Sequence, residues 1–473
     1  MLSSKRLKGF LTSAFIAAAA FIPVTAIPEE EHPGFTQDQI NKLNLIERDI
    51  ERNYVDPAKG RDKQKLMEGA IDGMLKSLDP HSRYLNQDAV KAENQEMTGT
   101  FVGIGIHVGT KVQTAIKVEK VIPDSPAEHA GLKKGDLITR VVDKNQNVDV
   151  TISDARTFEL AVKSLSGKAH TPVQLTIMRD GVQKDITVIR DAITESAIVA
   201  RRIGDIGYIQ IKDYMNKNVA DDFEKAVRQF QTDGKKLSGI IVDERYNPGG
   251  FLNKVVRIVD DLVDAEGVAV TSKGRGGSQD STAYPVNSGD ITGGIPIVVL
   301  VNDGTASASE IFAGAMQDYK RAVILGIQTY GKGSVQVSEG YRDGTEVWLT
   351  TALYYTPSGR SIQGHGITPD VLYIPTPFEV KAREGYPLRS EAKEKNYITK
   401  TDAPAQDETK TTETCGMKDD AAINDLDKGL LYEGVEKPTP DGAMVCAVEY
   451  LHKTSKFTTV KPYIAPPPDA PSP

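Results

Sequence analysis

The chain has 473 residues, 39% of them hydrophobic, with 57 Lys and Arg against 65 Asp and Glu for a formal charge of -8. That length exceeds one ordinary domain and supplies apolar residues for two or three cores. An acidic balance with no block of Lys and Arg leaves no footprint for a phosphate backbone, so nucleic acid is not an expected partner.

Lys5, Arg6 and Lys8 precede the apolar run Phe10 to Phe21, which is followed by Pro23 and the small-residue pattern Val24-Thr25-Ala26. This is the pattern of a secretory signal over residues 1–26, cleaved near Ala26. The alternative is an uncleaved anchor, because the run approaches the roughly 20 residues that span a bilayer. Export is expected either way. Apolar residues at helical spacing, among them Ile40, Leu43, Leu66, Ile71 and Leu75, predict a helical region over 36–97 that packs on the core. Tyr54-Val55-Asp56-Pro57 and Leu78-Asp79-Pro80-His81-Ser82 read as turns within it.

From 99 to 190 the pattern changes to short β-rich runs around one helical stretch, Asp154 to Val162. Gly103 and Gly105 stand among apolar residues in Phe101-Val102-Gly103-Ile104-Gly105-Ile106, a loop able to expose backbone N–H groups to a terminal carboxylate. A β-bulge is the plain alternative. With Ser125-Pro126-Ala127-Glu128-His129-Ala130-Gly131-Leu132 and Gly135-Asp136-Leu137-Ile138 downstream, the whole segment resembles a bacterial PDZ domain. The resemblance implies that a peptide C-terminus adds beside Gly103, Ile104, Gly105 and Ile106. Its last side chain would lie against Phe158 and Val162, with a preference for apolar C-termini.

Strands and helices alternate over 191–375, the mark of an α/β core. Beyond 375 periodicity is lost, and the extension 376–473 is expected to be partly disordered or loosely docked apart from a helical element at Met444 to Leu451. Cys415 and Cys446, the two cysteines of the chain, lie there; a disulfide and two inert thiols are both open readings.

Three turns in the core carry the chemistry. Val301 to Met316 runs from a buried strand through small residues into a helix, with Ser307 at the helix start, where N–H groups favour developing negative charge. Ser307-Ala308-Ser309-Glu310 also matches a capping box, a purely structural role. Tyr330-Gly331-Lys332-Gly333 places a lysine between glycines; burial would lower its pKa enough to make it a base, with Gln336 able to orient the amine. An exposed loop cation is the alternative. In Asp243 to Leu252, Gly249 and Gly250 can point N–H groups at an oxyanion, or simply make a tight turn.

Together these turns resemble the signature of carboxy-terminal processing proteases, also called tail-specific proteases. Asp79-Pro80-His81-Ser82 with Tyr84, Tyr354 to Gln363, and Gly366 to Asp370 resemble further blocks of that family, so the likeness spans about residues 40 to 375. It implies a multidomain α/β chain: helical region, PDZ β-domain with inserted helix, crotonase-like protease core and poorly ordered tail. It further implies a serine endopeptidase in which Ser307 attacks, Lys332 moves the proton and Gln336 positions Lys332. Gly249 or Gly250 with Ala308 would form the oxyanion hole, without cofactor or metal. Arg190, at the end of the PDZ segment, would couple peptide binding to the core. The implied location is the bacterial periplasm or cell envelope, with membrane association if the signal is retained. Substrates would be proteins or peptides; a homo-oligomer or an adaptor protein is left open. Glu244 and Tyr246 depart from the family, which more often has Leu and Asn there.

Two other readings compete. A Ser-His mechanism would need a partner such as His365, and a noncatalytic PDZ scaffold would bind tails without cutting them. The seven histidines show no pair at metal-ligand spacing.

Overall fold

The structure is a computed structural model and describes residues 34–97, 100–109, 114–194, 196–287, 289–375, 389–399, 413–416 and 441–453. The signal segment, the polar run after Lys400 and the Pro-rich end lie outside the described residues. The chain divides into two units, 1–69 and 70–473.

The first unit holds α1 (Gln37–Asn53), α2 (Pro57–Gly60) and the start of α3 (Lys63–Lys76). Thr36 caps α1 in a reciprocal box with Gln39, satisfying the first N–H groups. α1 buries none of its residues, and Ile40, Leu43, Leu45 and Ile46 stay exposed.

In the second unit, β1 (Arg83–Leu85) and α4 (Gln87–Met97) lead to the β-rich domain. This domain contains β2 (Thr100–Gly103), β3 (Ile106–Val108), β4 (Ile116–Val121), α5 (Pro126–His129), β5 (Leu137–Asp143), β6 (Val148–Thr151), α6 (Ala155–Leu165), β7 (Pro172–Arg179), β8 (Val182–Ile189) and β9 (Asp191–Thr194). Its sheet runs β3-β4-β5-β7-β8, with β6 also on β5, so β3 is an edge strand. Ile116, Ile138, Leu175 and Ile177 fill a core of its own beneath α6; each such burial contributes roughly 2 kcal/mol. β2 and β9, where the chain enters and leaves, pair antiparallel from Thr100↔Thr194 to Gly103↔Asp191.

The core follows with β10 (Ile198–Ile203), β11 (Ile206–Ile211), α7 (Val219–Thr232), β12 (Gly239–Asp243), α8 (Leu252–Asp260), β13 (Gly267–Gly274), β14 (Ser281–Val286), β15 (Ile297–Val301), α9 (Ala308–Asp318), β16 (Ala322–Gly326), β17 (Ser334–Gly340), β18 (Glu346–Tyr355), β19 (Val371–Ile374), β20 (Glu413–Gly416) and α10 (Gly442–Lys453). Seven strands form one sheet in the order β10-β11-β12-β15-β16-β19-β20, parallel except for β10 on β11. β12 and β15 are buried at every position, as the apolar runs Ile240–Val242 and Ile297–Val301 require, with Asp243 closing β12. Ile240, Val242 and Val299 face α7, α8 and α9, whereas Ile241, Val298 and Leu300 pack with Ala443, Met444, Ala447 and Leu451 of α10. A second sheet, β1-β18-β13-β14 with β17 on β18, is antiparallel.

The described pieces of the extension therefore pack on the core: β20 extends the main sheet, α10 covers its second face, and Cys415 of β20 is bonded to Cys446 of α10. Four-residue β20 leaves too short a pattern to read as a strand, and α10 finds its apolar face only against the sheet.

Candidate active site

The three chemical turns follow the C-terminal ends of β12, β15 and β16, which are neighbours in the sheet. Parallel strands deliver their following loops to one edge, where α/β folds hold their sites. After β12, Glu244 is wholly buried and accepts from the Tyr214 hydroxyl and from Asn247 Nδ2; burial pushes its carboxyl up to about 8. This residue, which departs from the pattern the chain otherwise resembles, thus arrives with two donors of its own. Tyr246, the other departure, is exposed, and its N–H donates to Asn302 Oδ1 at 2.9 Å. Arg245 forks between Asp243 and Asp441, tying β12 to the residue before α10.

The first two turns interlock. Ala306 N–H donates to Asn247 O at 2.9 Å, Ser309 Oγ to the same oxygen at 2.8 Å, and Thr305 Oγ1 to Glu244 O at 2.8 Å. Gly249, at φ 100°, passes so close that a Cβ there would stand 2.8 Å from Ala308 N and from Ser307 Cβ. Gly249 N–H is committed to Asn247 Oδ1 at 2.9 Å. Gly250 (φ 143°) forms a parallel bridge with Tyr214, in which Gly249 O and Phe251 N–H make the bonds. Such a bridge turns the N–H of Gly250 itself away from Tyr214.

Ser307 sits at φ 58°, ψ -117°, a region that L-residues occupy under strain. Its N–H donates to Glu310 Oε2 at 2.9 Å, while Glu310 N–H returns to Ser307 O at 2.9 Å. The box expected from Ser307 and Glu310 is thus partly structural, but the carboxylate does more than cap. Glu310 is fully buried and also accepts from Gly331 N–H at 2.6 Å, Lys332 N–H at 2.8 Å and the Thr329 hydroxyl. One carboxylate therefore holds the serine turn against the lysine turn. Burial pushes it up to about 7, against the pull of these donors.

Lys332 is partly buried, and burial lowers its pKa. Gln336 Nε2 donates to Ser334 Oγ at 2.9 Å and Thr350 Oγ1 at 3.1 Å, and no hydrogen bond joins it to Lys332 among the described residues. Thr350 in turn donates to Asp79 Oδ1 at 3.0 Å. Burial would push the Asp79 carboxyl up, yet hydrogen bonds from Ser82, His81 N–H and Thr350 bring it below its ordinary value. His365 is exposed, its carbonyl accepting from Gln328.

In the β-rich domain, a groove of about 450 Å³ is lined by Val108, Gly109, Phe158, Glu159, Val162 and Lys163, alongside the edge strand β3. Phe158 and Val162 line this groove, and Ile106 begins the edge strand beside it. Ile104 is buried, its carbonyl accepting from Ala127 N–H at 2.7 Å. Gly105 (φ 89°) presses on Ser125, leaving no room for a Cβ. Gly103 pairs with Asp191 in the connecting ribbon. Arg190 is wholly buried inside this domain, on Asp143 at 2.6 Å and on the carbonyls of Ser164 and Leu165 at the end of α6.

Sequence reasoning passed over the joining role of Glu310 and over Glu391 altogether, and met His81 and Gln363 only as members of family-like blocks, with no role for either. Glu310 carried a signal, an acid three residues after the serine. Glu391 carried none, since its partners lie in distant segments. No group of three or more His, Cys, Asp or Glu that could hold a metal occurs among the described residues.

Profiles of three families match in succession: the activating protease CtpB N-terminal domain over 11–89, the PDZ domain over 101–189 and Peptidase family S41 over 205–373. The carboxy-terminal-processing protease of Bartonella bacilliformis is 39% identical over 367 residues, covering 77% of this chain and 81% of that one. A probable CtpA-like serine protease of Staphylococcus aureus (strain COL) is 34% identical over 368 residues, covering 78% and 71%. Among solved structures, a photosystem II D1 C-terminal processing protease is 28% identical with a TM-score of 0.41, covering 72% of this chain and 93% of that one. With a PDZ domain followed by an S41 core and this degree of identity along most of its length, the chain belongs to the carboxy-terminal-processing protease family.

Proposed function

We propose that the protein is an exported serine endopeptidase that grips protein tails in its PDZ groove and cuts near them by a Ser-Lys mechanism. Ser307 Oγ attacks the scissile carbonyl carbon while the neutral Lys332 amine takes its proton. The tetrahedral oxyanion is met by the N–H groups of Gly250 and Ala308, with Gly249 shaping the turn. Collapse breaks the C–N bond as Lys332 returns the proton to the leaving amine, and water then hydrolyses the acyl-serine by the same proton path. Gln336, anchored through Ser334 and Thr350, positions Lys332 through its remaining amide oxygen. The observation that carries this reading is the Glu310 carboxylate, which accepts from Ser307, Gly331 and Lys332 N–H and so unites nucleophile and base turns.

Tails with apolar ends suit the groove beside Phe158 and Val162, where an added strand would pair with β3. Coupling through Arg190 would pass by way of the end of α6, which its guanidinium holds. Export to the periplasm or envelope is supported by residues 1–26 and by the Cys415–Cys446 bond, which suits an oxidising compartment. No described helix is long and apolar enough to cross a membrane.

The test is to incubate the parent, Ser307→Ala and Lys332→Ala with a loosely folded protein ending in apolar residues and follow fragments by mass spectrometry. Cleavage by the parent alone sustains the reading. Cleavage by Ser307→Ala removes it, and tail binding without cleavage by all three favours a noncatalytic scaffold.

A further inference from the structure

Glu391 lies beyond the stretch that matches Peptidase family S41, yet it is fully buried against the Lys332 turn. Its N–H donates to Tyr330 O at 2.8 Å, just before Gly331 and Lys332. Its carboxylate receives His81 Nε2 at 2.9 and 3.0 Å and Gln363 Nε2 at 3.1 Å. The other end of the Gln363 amide accepts from Gly333 N–H at 2.9 Å, just after Lys332. Glu391 thus brackets the lysine, directly on one side and through Gln363 on the other. Its segment is pinned twice more, by Arg389 N–H on the Asp303 carboxylate at 3.0 Å and by the Tyr330 hydroxyl on Glu394 at 3.1 Å.

We infer that Glu391, supplied by the extension beyond the protease core, is a positioning residue for the reaction, and that the site is incomplete without the segment 389–394. The inference rests on the reading of Lys332 as the base. A carboxylate so placed acts on the amine as well as on its backbone. Burial lowers the Lys332 pKa; Glu391 opposes that, as do Glu310 on α9 and Asp79 in the turn before β1, while Arg83 on β1 adds to it. Removing the Glu391 charge therefore makes the amine easier to deprotonate, even as the turn loosens.

The experiment is the pH profile of kcat/KM for the purified protein on a quenched protein substrate. Glu391→Gln is expected to move the acid limb about one unit to lower pH and to lower kcat about tenfold with KM unchanged. A fall in kcat with the limb in place, as a merely structural role would give, overturns the inference. If Glu391→Gln does not fold, Glu391→Asp keeps the charge but draws it back from the lysine turn; a lowered kcat with the limb moved part of the way to lower pH supports the inference, and a limb at its parental position overturns it. Lys332→Ala, run alongside, separates the two claims. Its inactivity sustains the base, so that an unmoved limb counts against Glu391 alone; its turnover defeats the Ser-Lys reading itself.

Discussion

Ser307 owes its conformation to neighbours within a few positions, Asn302, Thr305 and Glu310, together with the adjoining turn at Asn247. The Lys332 turn is held instead by Glu310, Gln363 and Glu391, from three separate segments. A strand-turn-helix can shape a nucleophile locally. A lysine that must be buried and kept neutral needs walls, and walls come from elsewhere in the chain.

Glu310 is where the two constructions meet, and replacing it is the strongest way to break the contrast. Glu310→Gln puts an amide donor among four donors and is expected to lower kcat by about 10²- to 10³-fold with little change in KM. Parental kcat in steady-state assays would mean that the two turns are independent. The same residue sets a pH dependence: Glu310, pushed up to about 7, accepts fully only when ionised, and Lys332, as the proposed base, would act only when neutral. Both conditions fail on acidification, so kcat/KM should fall in two steps, one near 7 from Glu310 and one from Lys332, the latter being the limb that Glu391→Gln moves; a pH-rate profile checks both.

The packing of the extension on the sheet is tested next through the disulfide. Cys415 and Cys446 close a loop of separation 31, so Cys446→Ser should cost about 3 to 4 kcal/mol of core stability in urea titrations. Tail binding to the PDZ groove should be spared. Gly249→Ala probes the local side: with φ at 100° and Ala308 N 2.8 Å from the new Cβ, kcat should drop about 100-fold, and an unchanged kcat would detach this turn from the oxyanion. The smallest effect belongs to Phe158→Ala, expected to weaken binding of an apolar-ended peptide about tenfold by fluorescence anisotropy.

These contrasts mirror what could be read from residues alone. Ser307, Lys332 and the glycines at 249 and 250 stand in short strings whose residue types carry their chemistry, and β12, β15 and β16 announce themselves as apolar runs. The PDZ groove was legible for the same reason, since α6 presents Phe158 and Val162 at helical spacing. Glu391, His81 and Gln363 meet only through tertiary contact, and α10 looks like an unremarkable short helix until the bare face of the sheet is known. Arg190 stands at the end of the PDZ segment, and its burial on Asp143 depends on a fold that no local pattern states.

At φ 58°, Ser307 occupies backbone that costs an L-residue about 1 to 3 kcal/mol and glycine almost nothing. A Ser307→Gly variant should therefore melt above Ser307→Ala in a thermal scan, giving up the proposed nucleophile while relaxing the backbone. The backbone at 307 would relax if the side chain were given up, and the fold carries that strain for as long as the serine stays.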